Sequence, residues 1–325
     1  MILFLLACVP PTPIIVAPIQ SVSEDGLAAE LVVSGPLSER VRSDDADLVI
    51  FYGSEERGSL EACGCPNRPR GGLARQASYI VASRAANPSA GHLIVNGGGW
   101  LDDAVGLDGR PRPETPVQNG WMSDGLAALG VDALNIGYPE LAGLRGQGSP
   151  PSLPLVSANL SGDGVEPWVV ISAGGLRVGV TGISTTGSRV LETPGFARAD
   201  PVRAGRAALV ALAERSDVQV LLAYQAPEAA GRLAREGLAD VVVDVQQHRE
   251  RYAPIRVGGA IWVRSHYQTQ RLGELRLQVE GGEITDVLDR KIDMDPSVPS
   301  DPRVDAVVVA ARRALELVER GLYGG

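Results

Sequence analysis

Histidine and cysteine are the scarce residues of this chain. There are three of each in 325 residues, at His92, His248 and His266 and at Cys8, Cys63 and Cys65. Three imidazoles cannot build a dinuclear hydrolase centre of about four or five histidines. Three thiols exclude a disulfide framework and a cysteine-rich zinc scaffold. Lysine is rarer still: Lys291 is the single one among 30 basic residues, and arginine supplies the rest, which reads as the mark of a GC-rich genome. Acidic residues outnumber basic ones, giving a net charge of −9 and a pI near 5.0. That balance excludes a basic nucleic-acid-binding surface. The opening apolar run over residues 1–9 is far shorter than the ~20 residues of a membrane-spanning helix.

What is present suffices for a sizeable core, since 44% of residues are apolar. At roughly 150 residues per domain the length allows two domains or one large α/β unit. No internal break in composition and no short-period repeat divides the chain. The first residues, ending Leu5-Leu6-Ala7-Cys8, resemble the end of a bacterial lipoprotein signal, although no Lys or Arg precedes the apolar run. The implied organisation is a signal over 1–8, a lipidated Cys8, a tether and polar linker over 9–45, and one domain over 46–325. It also implies a membrane contact through that lipid and a place in the bacterial cell envelope, outside the cytoplasm.

Beyond the linker, β-like runs alternate with helical spacing. Strands are predicted over 47–52, 93–95, 132–136, 153–157, 218–223 and 240–245. Helices are predicted over 72–86, 115–129, 201–215, 227–236 and 301–320. Gly174-Gly175, Gly258-Gly259 and Gly281-Gly282 mark hairpins. The fold class is therefore α/β, with two mixed sheets.

Short motifs in order resemble the N-terminal domain of the 5′-nucleotidase branch of the calcineurin-like metallophosphoesterases. They are the strand ending Tyr52-Gly53-Ser54-Glu55-Glu56-Arg57-Gly58, then Gly71-Gly72-Leu73-Ala74-Arg75 and Ile94-Val95-Asn96-Gly97-Gly98-Gly99. Asn135-Ile136-Gly137-Tyr138-Pro139-Glu140, Ser157-Ala158-Asn159, Val178-Gly179-Val180-Thr181-Gly182, Leu221-Leu222-Ala223-Tyr224 and the run from Asp240 to His248 follow. The resemblance covers residues ~46–320 and implies an α/β/β/α sandwich of two mixed sheets flanked by helices. It also implies Asp, Asn and His ligands holding two metal ions that activate water. At those ligand positions this chain has Glu55, Arg57, Gly99, Tyr138-Pro139, Tyr224 and Gln246, and only His248 keeps its type. No metal and no cofactor is expected, and Glu55, Arg57, Arg75, Asn159, Gln246 and His248 are expected to line a vestigial site. The resemblance also implies that the base-gripping domain of two-domain nucleotidases has no counterpart before the last helix ends near Arg320.

Cys63-Gly64-Cys65-Pro66 lies on the loop after the first of these strands, which in the family overhangs the metal site. This resembles the UshA-like (seleno)protein branch, whose members include thiol-bearing proteins with depleted metal sites. Two cysteines two apart can approach within disulfide range, and Arg57, Arg68 and Arg70 nearby favour a thiolate. Cys63 and Cys65 are thus the candidate redox pair, with a thiol-redox partner implied. A static loop staple and capture of a soft metal ion are the other readings of the pair. For the whole chain, the expectation is an anchored, metal-depleted protein of this fold with a thiol/disulfide role. A divergent phosphoesterase and a non-catalytic binding or scaffold protein are the alternatives. The carboxylates of Asp102-Asp103 and Asp293-Asp295 read as solvated, and His92 as exposed.

Overall fold

A computed structural model describes residues 20–22, 26–63, 65, 67, 69–105, 110–144, 153–185, 195–246 and 253–323. Strands β1 (Gln20–Val22) and β2 (Leu27–Val33) precede a one-turn helix α1 (Leu37–Arg40). Alternation follows: β3 (Leu48–Gly53), α2 (Leu73–Ala86), β4 (Gly91–Asn96), α3 (Thr115–Leu129), β5 (Ala133–Asn135), α4 (Tyr138–Leu144) and β6 (Leu155–Val156). Short strands β7 (Leu160–Gly162) and β8 (Val165–Glu166) lead to a hairpin of β9 (Val169–Ala173) and β10 (Leu176–Ser184). Then come β11 (Phe196–Arg198), α5 (Pro201–Ala213), β12 (Val218–Tyr224), α6 (Pro227–Arg235) and β13 (Val241–Val245). Two hairpins, β14 (Ile255–Val257) with β15 (Ala260–Arg264) and β16 (Arg271–Glu280) with β17 (Glu283–Asp293), precede the last helix, α7 (Pro302–Tyr323).

The strands form a nine-stranded sheet, ordered β1-β2-β17-β16-β3-β4-β5-β6-β8, and a six-stranded sheet, ordered β14-β15-β13-β12-β10-β9. Both mix parallel and antiparallel pairs. Strand β3 shows why the layers stack as they do. Leu48, Ile50 and Tyr52 point into an apolar layer shared with Val178, Val220 and Val243 of the other sheet. Val49 and Phe51, on its opposite face, pack with Leu73 and Ile80 of α2 and Val304 and Val308 of α7. Helices α5 and α6 cover the outer face of the six-stranded sheet through Leu209, Leu233 and Ala230. A strand covered on both faces must be apolar throughout, so these strands read as continuous apolar runs. The result is the α/β/β/α sandwich.

The linker expectation fails from residue 20, where β1 already pairs with β2. Strand β2 pairs in parallel with β17, and Leu27 and Glu30 are buried. Acidic composition suggested a solvated segment, but Glu30 is matched inside the sheet by Arg290 at 2.9 Å. His92 is half-buried rather than exposed and stacks on Phe51, with ring planes 7° apart. Asp293 is buried and receives Arg70 at 3.2 Å, while Arg40 reaches Asp295 at 2.5 Å, so neither carboxylate is merely solvated.

Candidate functional site

At the C-terminal end of β3 the chain turns sharply, and Glu55 and Arg57 both take positive φ, 54° and 51°. Side chains rarely adopt this left-handed conformation. Backbone bonds hold it: Glu55 N–H donates to Gly98 O, and Arg57 N–H to Gly99 O, both at 3.0 Å. From this turn Arg57 extends into the place where the resemblance calls for metal ions. Its Nε donates to Glu55 Oε2 at 2.8 Å and its Nη1 to Asp103 Oδ1 at 2.5 Å. Its Nη2 donates to the hydroxyls of Tyr138 at 2.9 Å and Tyr224 at 3.2 Å. The guanidinium also lies 5.4 Å from the Tyr138 ring centre, and the two tyrosines meet edge to face. Burial opposes its charge, but Tyr224 and Glu55 more than offset this and hold Arg57 protonated. Burial likewise pushes the Tyr224 hydroxyl up, and Glu55 adds to it.

Two further buried carboxyls surround this cluster. Glu140, at the start of α4, accepts N–H bonds from Gly137 at 2.7 Å, Leu101 at 3.0 Å and Gly99 at 3.1 Å. Burial still raises it to about 6. Glu56 is pushed up to about 7 by burial, partly opposed by a bond with Asn96. Among the described residues, Glu55 Oε1 and Glu56 Oε2 are buried with no hydrogen-bond partner.

These residues do not fit a two-metal centre. Arg57 brings a fixed cation where ligands are required. Gly99 has no side chain, and a Cβ there would lie 2.6 Å from Glu55 Oε1 and 3.0 Å from the Tyr224 ring. An aspartate at that position has no room unless both neighbours move. Among the described residues no three His, Cys, Asp or Glu side chains gather as a metal site.

The other expected site residues lie elsewhere. Arg75 braces the loop before α2, donating to Gly71 O at 2.9 Å and Met294 O at 3.2 Å. Asn159 clasps the end of β10, donating to Ser184 O and accepting from Ser184 N–H. Gln246 bonds to Asp244, which Trp262 and Arg264 also hold. Each amide or guanidinium is engaged in bracing local structure, and none reaches the Arg57 cluster. His248 and Cys8 lie outside the described residues. Asp103, read from sequence as solvated, is instead an anchor of Arg57, and its neighbour Asp102 caps the approach to α3 through Thr115. A charged pair after a glycine-rich strand end was the only signal for it.

Cys63 and Cys65 form a second centre. The loop folds back on itself, with Ala62 bridged to Gly71, and Cys63 N–H donates to Arg70 O at 2.7 Å. Arg70 N–H returns a bond to Cys63 Sγ at 3.3 Å. That bond pulls the Cys63 thiol below its ordinary range; burial opposes it, and the backbone and thiol of Cys65 and the charge of Arg70 reinforce it. The Cys65 thiol is pushed up by its bond to Cys63 and by that residue's charge. Cys63 is half-buried, Cys65 is exposed, and no disulfide joins them. Cys63 lines a groove against α7 that contains none of Glu55, Arg57, Tyr138 or Tyr224.

Two outcomes follow for the Arg57 cluster. Arg57→Met strands Glu55 in a buried position, and urea unfolding is expected to show a loss of about 3 kcal/mol; a loss below about 1 kcal/mol would mean that solvent already screens the cluster. Glu56 holds its proton more tightly folded than unfolded, so its ionisation costs stability. Stability is therefore expected to fall as pH rises from the ordinary 4.5 through about 7. Thermal melts across that range should show Glu56→Gln losing less than the parent and keeping only the smaller Glu140 contribution.

No family model and no curated protein matches the chain. Solved structures do. Sulfate thiohydrolase SoxB of Thermus thermophilus superposes with a TM-score of 0.68 at 17% identity, covering 83% of this chain and 61% of that one. A 5′-nucleotidase precursor, also from Thermus thermophilus, gives 0.64 at 19% identity, covering 83% and 59%. The calcineurin-like phosphoesterase YfkN of Bacillus subtilis gives 0.63 at 19% identity, covering 84% and 99%. The chain thus spans about three-fifths of the first two structures' length and nearly all of the third. Its fold is that of the calcineurin-like phosphoesterases and 5′-nucleotidases.

Proposed function

We propose that this protein is a thiol–disulfide redox protein built on a metallophosphatase-type fold, acting through Cys63 and Cys65. The observation that carries the reading is the asymmetry of the pair. Cys63 Sγ accepts the Arg70 N–H, which draws its thiol below the ordinary range, while the exposed Cys65 thiol is pushed above it by Cys63. A thiolate is the nucleophile of disulfide exchange, and a neighbouring thiol that keeps its proton until the second step resolves the mixed disulfide. Arg70 is held in place by buried Asp293. Hydrolysis at a two-metal centre is the weaker reading, because Arg57 and its partners take that position. A solved structure of this fold is named a sulfate thiohydrolase, so chemistry at sulfur is compatible with the scaffold.

We further place the chain outside the cytoplasm on a lipid carried by Cys8, where a thiol pair can cycle with a disulfide. Among the described residues no helix is long and apolar enough to cross a membrane. The support is the Leu5-Leu6-Ala7-Cys8 run.

Iodoacetamide labelling followed by mass spectrometry across pH tests the pair. Cys63 is expected to alkylate with a midpoint below that of an ordinary thiol, and to outpace Cys65 at neutral pH. Cys65→Ala should move that midpoint upward. Equal, ordinary titration of both thiols sinks the redox reading. For the anchor, radiolabelled palmitate should enter the protein in bacterial cells and be lost in Cys8→Ser; equal labelling of the variant rules the anchor out.

A further inference from the structure

We propose that the groove beside Cys63 is the binding site for the thiol pair's reaction partner, and that it selects a disulfide carrying positive charge. The inference rests on the redox reading above. The groove encloses about 590 Å³ between the loop over residues 58–63 and the last turns of α7, a volume within the range of small-ligand sites. Leu60, Val308 and Leu315 give it an apolar middle, and Cys63 opens into it from the loop wall.

Its charges are one-sided. Among the described lining residues the carboxylates are Glu61, Glu316 and Glu319, and the sole cation is Arg312. Arg312 is already committed: its Nε donates to Glu61 Oε1 at 2.7 Å, so the loop and the helix are joined by a neutral pair. Glu316, which Arg312 also feels, and Glu319 make the groove's acidic wall, in excess over its one lining cation. Arg320 approaches Glu316 at 3.7 Å, but both side chains are exposed and Arg320 does not line the groove; such contacts contribute little. A cleft walled by one sign of charge concentrates ligands of the other sign and repels its own.

The transfer balances within this site. The Cys63 thiolate attacks one sulfur of the bound disulfide, forming a new S–S bond as the partner's own S–S bond breaks. The released sulfur leaves as a thiolate and takes up a proton. Cys65 gives its proton to solvent and attacks Cys63 Sγ. The partner's second sulfur leaves as a thiolate and is protonated in turn. Two electrons have passed from the pair, now a Cys63–Cys65 disulfide, to the partner, now two thiols.

Single-turnover oxidation of the reduced full chain tests this. The probes are cystamine, a dication; bis(2-hydroxyethyl) disulfide, which is neutral; and dithiodiglycolate, a dianion. Each rate is divided by that of free 2-mercaptoethanol with the same disulfide, to remove intrinsic reactivity. Cystamine is expected to exceed the neutral probe by about tenfold at low ionic strength, and the dianion to fall below it. The preference should shrink with added salt and vanish in Glu316→Gln/Glu319→Gln. A disulfide-linked dimer of an arginine-containing peptide extends the series. If it outpaces cystamine, the cationic partner is a protein segment; if it trails, the partner is a small diamine. Equal or inverted normalised rates in the parent, or a preference unchanged in the double variant, overturn the groove's role while leaving the redox reading intact. Failure of every disulfide to oxidise Cys63 and Cys65 instead overturns the redox reading, and the groove's role with it.

Discussion

The end of the sheet depends on one charge, the half-buried guanidinium of Arg57. It sits where four chain segments converge: its own turn after β3, the loop carrying Asp103, the start of α4 with Tyr138, and the end of β12 with Tyr224. A cation in this place needs anions and acceptors on every side, because an isolated charge out of water is costly. That requirement accounts for the left-handed turn at Glu55 and Arg57. It also accounts for Gly99, where any side chain would collide with the groups that satisfy the arginine. The turn is tied onward as well, since Gln268 N–H donates to Glu55 O. Gln268 and Thr269 also take positive φ, and Thr269 Oγ1 accepts the N–H of Gly72 at the far end of the thiol loop. The closed cluster and the open thiol loop are thus framed by the same strained segment.

Compensated buried charge recurs through the nine-stranded sheet. Arg290 is shared by Glu30 and Glu274, and Lys291 bonds to Asp289 and Tyr52. Tyr52 in turn lies flat over Gly273 of β16, where a Cβ would fall 2.2 Å from the ring. Such pairs contribute little net stability but impose register, because a one-residue slip would leave a charge without its partner. Cys63 is tied to Arg70 by its own N–H and by its sulfur and lines a groove, whereas the half-buried Arg57 has its guanidinium hydrogen-bonded to Glu55, Asp103, Tyr138 and Tyr224.

Much of the fold could be read from the chain. The apolar runs of β3, β4, β12 and β13, the diglycine hairpins and the amphipathic α7 follow from periodicity and turn chemistry, which are local. Strand β2 was hidden because Glu30 makes its segment look solvated, and the arginine that matches it lies 260 positions away in sequence. The residues Glu55, Arg57, Gly99, Tyr138 and Tyr224 that meet at the sheet end were also legible, since each falls near a strand end in a short motif.

The sequence alone determined the layer architecture, the residue types at the strand ends and the spacing of one close thiol pair, because residue type and near-neighbour spacing carry that information. Only the tertiary structure decided what gathers at the strand ends and what the thiol loop packs beside. Arg57 became an internal cation because Asp103, Tyr138 and Tyr224, distant in sequence, close around it. Cys63 lines a groove with residues of α7, on a loop that the bridge from Ala62 to Gly71 folds back before helix α2 begins. Electrostatic compensation and groove formation depend on groups that meet only after the sheets have packed, so they leave no local trace in the chain.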